Sequence, residues 1–401
     1  MKFDFTTIYD RMGKDALAVE NVGKEGWGPD QPGEGFDFIP MWVADMNFAT
    51  CPAVTEAIIE RVKHPLFGYY RPRPEYFERI IGWQSGRNGY TELRPEHIGY
   101  ENGVHGCVTS AVTVLTQPGD AVLLHRPTYI GFAADIDRQG RVPVYSDLVK
   151  DEQGVYRMNF EEMDRLLTEH QIRVVVFCSP HNPTGRVWER WELEQAMAIF
   201  ERHGCTVISD EIWSDIVYPG HRHIPTPLVS PWAREHTVAA YALSKTFNLA
   251  AMCGSYHIIC GDELREKVVK RGDRTNYNSQ HVLTQHALLG AYSETGSEWV
   301  AELLTVLEAN CRSMADFLNG IEGVHVTMPE GTYMLFADLT DYCARTGKTQ
   351  EELLKAAWAV GVGWQDGKPF GGPCHVRINV ALPFSRVQEA EERLRRYVLN
   401  Q

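Results

Sequence analysis

Through the middle of the chain, short apolar runs alternate with amphipathic stretches. Ala121–His125, Arg173–Cys178, Thr206–Ser209, Val238–Leu243 and Ser255–Cys260 are four to six residues each, mostly apolar and often β-branched. Runs of this kind predict strands buried on both faces. Between the second and third lies Val187–His203, apolar at Leu193, Met197 and Phe200 and followed by Gly204. That is helical spacing with a glycine stop. A further helix is predicted from Gly103 to Thr116, where Gln117-Pro118-Gly119-Asp120 makes a turn. Strands alternating with helices argue for an α/β fold with a mainly parallel sheet.

The C-terminal part has a different rhythm. Ser297–Leu318 is one long helical pattern ending at Asn319-Gly320. Thr349-Gln350-Glu351-Glu352 and Ser385-Arg386-Val387-Gln388 both have capping-box spacing ahead of amphipathic segments. Short strands are predicted at Val324–Met328, Tyr333–Asp338 and Val376–Val380. The expected organisation is an N-terminal segment over residues 1–44 that joins the small domain, a large sheet domain over 45–290, and a small α+β domain over 291–401.

Composition narrows the classes. The 401 residues are 44% hydrophobic and 23% charged, ordinary values for a globular chain with an ample core. The formal net charge of −14 disfavours general binding to nucleic acid or to an anionic membrane, since both need a basic face. Apolar runs such as Val174–Cys178 fall far short of the roughly 20 residues a membrane helix needs. The first residues lack the apolar core of a signal peptide. Nine cysteines without a CxxC pair disfavour a disulfide scaffold or zinc ribbon and favour a reduced, cytoplasmic setting.

In an open parallel sheet, ligands sit beyond the C-terminal ends of the strands. There the sequence places Arg126-Pro127-Thr128-Tyr129, Ser179-Pro180-His181-Asn182-Pro183-Thr184-Gly185, Asp210-Glu211-Ile212-Trp213 and Ser244-Lys245-Thr246-Phe247-Asn248. An aromatic ring, an amide, a carboxylate and an amine are thus delivered together. Those are the parts a pyridine aldehyde cofactor needs: a lysine for the Schiff base, a carboxylate for the ring nitrogen, an amide for the phenolic oxygen and an aromatic face to stack. Each piece also has a plain reading. Asp210-Glu211 is a good acidic start for a helix, Asn182–Gly185 a good turn, and Arg377 a good ion-pair residue. The ordered set carries the argument. No third ligand accompanies His221 and His223, so a metal site is not expected. No GxGxxG turn follows any predicted strand; Gly103-Val104-His105-Gly106 has two of the three glycines, against a nicotinamide oxidoreductase.

The set Asn182–Gly185, Asp210-Glu211, Ser244-Lys245 and Arg377 resembles fold-type I pyridoxal-phosphate enzymes of the class I/II aminotransferase superfamily. Met41-Trp42-Val43-Ala44-Asp45-Met46, Ser209–Ile212, Ser244–Asn248, Gly331-Thr332-Tyr333 and Val376-Arg377-Ile378-Asn379 are most similar to its MalY/PatB-type cystathionine β-lyase branch. The resemblance runs from about residue 40 to residue 385. It implies a large sheet domain with a smaller α+β domain, pyridoxal 5'-phosphate as cofactor, an amino-acid substrate and a homodimer with shared sites. Lys245 would carry the cofactor and move the Cα proton, and Ser244 beside it would also bind the cofactor. Asp210 would pair with the ring nitrogen, Asn182 with the phenolic oxygen, and Tyr129 would stack. Val104 and His105 would offer amides to the phosphate, Tyr69 would reach it from the second subunit, and Arg377 would grip the substrate carboxylate. In typical aminotransferases of this fold, a tyrosine stands where this chain has Trp213 and an arginine where it has Cys253. Both departures favour a carbon–sulfur β-lyase over the alternative, an aminotransferase. Asn47, where the branch has aspartate, is a third departure.

Overall fold

The five apolar runs become five adjacent strands at the centre of one seven-stranded sheet. The structure is a computed structural model in which residues 1–24, 28–277 and 279–399 are described. In chain order the strands are β1 (Ile98–Asn102), β2 (Ala121–Arg126), β3 (Val142–Asp147), β4 (Val174–Cys178), β5 (Thr206–Asp210), β6 (Thr237–Ala242) and β7 (Gly254–Ile258). Their order in space is β1-β7-β6-β5-β4-β2-β3. All pairings from β6 through β3 are parallel, whereas β7 runs antiparallel to both of its neighbours. Every residue of β4 and β6 is buried, while β1 and β3, at the edges, mix buried and exposed positions. Continuous apolar sequence marks the central strands, and its interruption hid the two outer ones.

The chain divides into two compact units, residues 50–181 with 186–301 and residues 1–49 with 182–185 and 302–401. In the first, helix α1 (Gly103–Leu115) buries Val104, Cys107, Val108, Ala111 and Val112, a single stripe at helical spacing. That stripe packs on Val122, Leu124, Val174, Val176, Ile208, Val238 and Ala240 from the sheet. Fully burying each such valine or leucine contributes about 1.5–3 kcal/mol, so this packing is a main support of the sheet that carries the strand ends. α2 (Ile130–Arg138) and α3 (Arg190–Arg202) follow β2 and β4. The predicted strand 238–243 stops at Ala242, and Leu243 opens the one-turn helix α4 (Leu243–Thr246).

The second unit holds a three-stranded antiparallel sheet of β8 (Met334–Asp338), β9 (Gln365–Asp366) and β10 (His375–Asn379), in the order β8-β10-β9. α5 (Glu294–Asn319) leads into it, followed by α6 (Gln350–Ala359) and α7 (Phe384–Tyr397). The capping box at Thr349 is formed: the Thr349 hydroxyl accepts from the Glu352 amide, and the Glu352 carboxylate accepts from the Thr349 amide.

Two expectations fail here. Val324–Met328 is not a strand; only His325 bridges to Asp338. The Asn319 side chain occupies both the N–H and the C=O of Val326 at 2.9 Å each, which removes the groups a ladder needs. Nor does Ser385 cap a helix, because α7 starts at Phe384 with Pro383 at its N-cap, so Ser385 lies inside the first turn.

Candidate active site

Strands β4 and β5 end level at the middle of the sheet, with Cys178 and Asp210 in register, and Asp210 pairs in turn with Ala240, two residues before the end of β6. Asp210 is therefore the last residue of the central strand β5, and it is buried. Its Oδ1 accepts from the Ile212 amide at 3.0 Å. Burial pushes its carboxyl up to about 6, against the pull of that N–H and of the His105 and Lys245 charges. Lys245 is carried by α4 immediately after β6, half-buried, with Nζ 5.6 Å from the centroid of the Trp213 ring. Ser244 precedes it and is also half-buried.

The turn after β5 is pinned from behind. Glu211, wholly buried, accepts from the Ser209 hydroxyl (3.0 Å), the Thr226 amide (2.8 Å) and the Tyr241 hydroxyl, and meets His223 Nε2 at 2.8 Å. Asp215 accepts from Trp83 Nε1 (3.0 Å), Arg87 Nε (3.1 Å) and the Thr246 hydroxyl (3.1 Å). Through Thr246, that last bond ties the turn to the helix carrying Lys245. Among the described residues, no group of three or more His, Cys, Asp or Glu side chains is arranged to hold a metal.

At the head of α1, Gly103 takes a φ of +76°, open to glycine and strained for other residues. The Asn102 side chain does not cap this helix, so the amides of its first turn, Val104 and His105 among them, receive no acceptor from it and carry the positive end of the helix dipole. Tyr129 stands at the N-cap of α2, half-buried and edge-on to Phe132. Tyr69 is fully exposed on this chain, as is much of Phe67. Cys253 is exposed too.

The second unit brings together two more of the expected residues. Arg377 on β10 is buried, and its guanidinium donates to Asn182 Oδ1 (3.3 Å), to the Trp42 carbonyl (2.9 Å) and to Gln365 Oε1 (2.5 Å). It lies 4.4 Å over the Phe370 ring. The sequence reading missed Gln365, Phe370 and Asp215. Gln365 becomes visible only through its cross-strand pairing with Arg377, which no local pattern announces. Asp215 shares a turn with Asp210, a signal that was available.

Residues 37–394 match the family described as aminotransferase class I and II. The chain belongs to that family. As a class I and II member, it is 31% identical to the cystathionine β-lyase PatB of Bacillus subtilis (strain 168), an alignment covering 94% of this chain and 97% of that one. It is 24% identical to an aspartate aminotransferase of Bacillus sp. (strain YM-2), over 95% of each. Among solved structures, it superposes on a pyridoxal-phosphate-bound C–S lyase of Staphylococcus hominis with a TM-score of 0.87, at 28% identity and with 98% of both chains covered.

The cofactor of this aminotransferase-family chain is pyridoxal phosphate, and the residues fit it. An amine stands at Lys245. The Asp210 carboxyl is desolvated beyond what its neighbours compensate, which suits a ring N–H. The first turn of α1, with no side-chain cap, suits a phosphate.

Proposed function

We propose that this chain is a pyridoxal-phosphate-dependent carbon–sulfur β-lyase that cleaves cystathionine or related cysteine S-conjugates to a thiol, pyruvate and ammonia. The observation that carries the reading is a lysine and a desolvated carboxyl on adjacent strand ends, with Trp213 where a phenol would be expected. The relatives named as lyases support it.

When bound, pyridoxal phosphate supplies an electron sink for the pair released from the substrate's Cα. Lys245 would hold the cofactor through Nζ and, once displaced by the substrate amine, take the Cα proton on that same atom. Asp210, largely ionised above pH 6, would keep a proton on the ring nitrogen. Asn182 would donate to the phenolic oxygen, and Tyr129 would cover one ring face. Val104 and His105 would bind the phosphate through their amides. Arg377 would take the substrate carboxylate, its plane fixed by Gln365, the Trp42 carbonyl and Phe370, a bidentate grip that lysine cannot reproduce. In the elimination, the C–S pair leaves with the thiolate as the Cα–H pair forms the Cα–Cβ double bond. Water then releases pyruvate and ammonia.

We further infer a homodimer in which Tyr69 reaches the partner's site, a reading supported by the exposed Leu66, Phe67 and Tyr69. A cytoplasmic location is supported by the nine cysteines, all free thiols. No described helix is long and apolar enough to cross a membrane.

The test supplies L-cystathionine with and without a keto-acid acceptor. Stoichiometric pyruvate and ammonia independent of acceptor is the expected result. Turnover that requires the acceptor, with the pyridoxamine form accumulating, would make the chain an aminotransferase instead. Borohydride reduction and peptide mapping should leave the cofactor on Lys245; label on another lysine would remove it from its role.

A further inference from the structure

The side chain of His105 has a place of its own, apart from the backbone amide considered above. Its Nδ1 lies 2.5 Å from Asp135 Oδ2 on α2, and its Nε2 lies 3.0 Å from the Tyr129 hydroxyl. The imidazole and phenol rings meet edge to face at 5.3 Å. This contact is built into the backbone. A Cβ on Gly131 would fall 2.0 Å from His105 Cε1 and 2.7 Å from Tyr129 Cε1, so the first turn of α2 admits both rings only as glycine. Gly131 and Asp135 are one helical turn apart, so the residue that makes room and the residue that bonds the imidazole share a face of α2.

We propose that Asp135, His105 and Tyr129 form a hydrogen-bonded relay in which His105 is a positioning residue for the Tyr129 ring and sets the direction of its hydroxyl's hydrogen bond. The inference rests on the reading above, in which Tyr129 covers the cofactor ring. With His105 neutral, Nδ1–H donates to Asp135 and Nε2 accepts from the Tyr129 O–H. When His105 gains one proton at Nε2, that N–H donates to the Tyr129 oxygen, and the phenol's own proton turns away from the imidazole. The reversal binds one proton and breaks no covalent bond.

The groups facing His105 decide where the reversal falls. Asp135 from α2 and Asp210 from the end of β5 favour the cation, whereas Lys245 from α4 and partial burial oppose it. The Asp135 bond is the largest of these influences, and the imidazole titrates above its ordinary 6.5. Below that pH the site gains a positive charge at the helix end assigned to the phosphate, so the cofactor should bind more tightly there.

The test has two arms on the full-length protein. Histidine-selective NMR of the cofactor-free chain, with the His105 signal assigned by its loss in His105→Gln, should give a midpoint above 6.5 that drops in Asp135→Asn. Pyridoxal phosphate affinity, measured by equilibrium dialysis across pH, should weaken several-fold as pH rises through that midpoint. The step should move to lower pH in Asp135→Asn and vanish in His105→Gln. An unmoved midpoint in Asp135→Asn, or an unchanged affinity profile in His105→Gln, would overturn the relay. Should His105→Gln fail to fold, the near-isosteric Asp135→Asn decides alone, its signals assigned by histidine connectivity. A chain that binds no pyridoxal phosphate would sink the functional reading, yet the NMR midpoint would still decide the relay.

Discussion

At the scale of a residue, Asp210 shows a site held at the expense of stability. Its carboxyl titrates at about 6 instead of 3.8 because burial outweighs the Ile212 N–H and the nearby charges. A raised carboxyl keeps its proton in the folded chain where the unfolded chain has lost it. Stability of the cofactor-free protein therefore falls as pH rises from about 4 to about 6, by at most about 3 kcal/mol at ~1.4 kcal/mol per unit. Asp210→Asn keeps an acceptor for Ile212 and removes the buried charge. In urea titrations at pH 8 the empty variant should be more stable than the parent by about 1–3 kcal/mol, with the gap closing near pH 4. Loading with pyridoxal phosphate should reverse the order, because the amide cannot hold the ring nitrogen protonated. Equal stability at pH 8 would mean that Asp210 carries no such penalty. Arg377 offers a second residue-level check. Arg377→Lys keeps the charge but loses the planar fork, and kcat/KM should fall about 100-fold, ~2.7 kcal/mol of lost transition-state binding. A loss below threefold would take the substrate carboxylate away from Arg377.

At the scale of elements, the turn after β5 and the one-turn helix α4 act as a unit. The lysine-bearing helix is only four residues long, too short to be held by helical propensity. Its geometry comes from Asp215, which accepts from Trp83, Arg87 and Thr246 together. Asp215→Asn leaves one acceptor for three donors and strips Arg87 of its charge partner, so unfolding stability should drop by about 2–3 kcal/mol. Because Thr246 adjoins Lys245, borohydride-trapped cofactor should also form more slowly. Normal stability with normal trapping would show that α4 is positioned by other contacts. The same scale explains what the sequence could tell. Strands β2, β4, β5, β6 and β7 were legible because central strands are apolar on both faces, and the places of Asp210, at the end of β5, and Lys245, just after β6, could be read from those strands. Edge strands β1 and β3 carry polar positions and gave no comparable signal. The false strand at Val324–Met328 has the right composition, yet its backbone is claimed by the Asn319 side chain. The link from His105 to Asp135 spans 30 residues and two helices, a juxtaposition that only the folded chain creates.

At the scale of the whole molecule, the Leu66–Tyr69 segment is where the proposed dimer is tested. Leu66, Phe67 and Tyr69 are exposed together in one short stretch that forms neither helix nor strand. Exposed apolar residues in sequence are an association signal when they cluster, and a two-fold dimer buries the same patch twice. If each site draws Lys245 from one subunit and Tyr69 from the other, two inactive variants can repair each other. In a mixture of Lys245→Ala and Tyr69→Phe chains, one site of each hybrid dimer combines the intact lysine with the intact tyrosine, and the other site holds both defects. With random exchange at equal concentrations, half of the dimers are hybrids with one good site each, so activity should recover to about one quarter of the parent level. Tyr69→Phe keeps the ring and loses only the hydroxyl, so the interface should persist and exchange can be verified by mass-tagged subunits. Recovery near one quarter, appearing at the rate of measured exchange, supports shared sites. Exchange without recovery would place each site within a single subunit, and an active monomer in dilute solution would remove the dimer from the mechanism altogether.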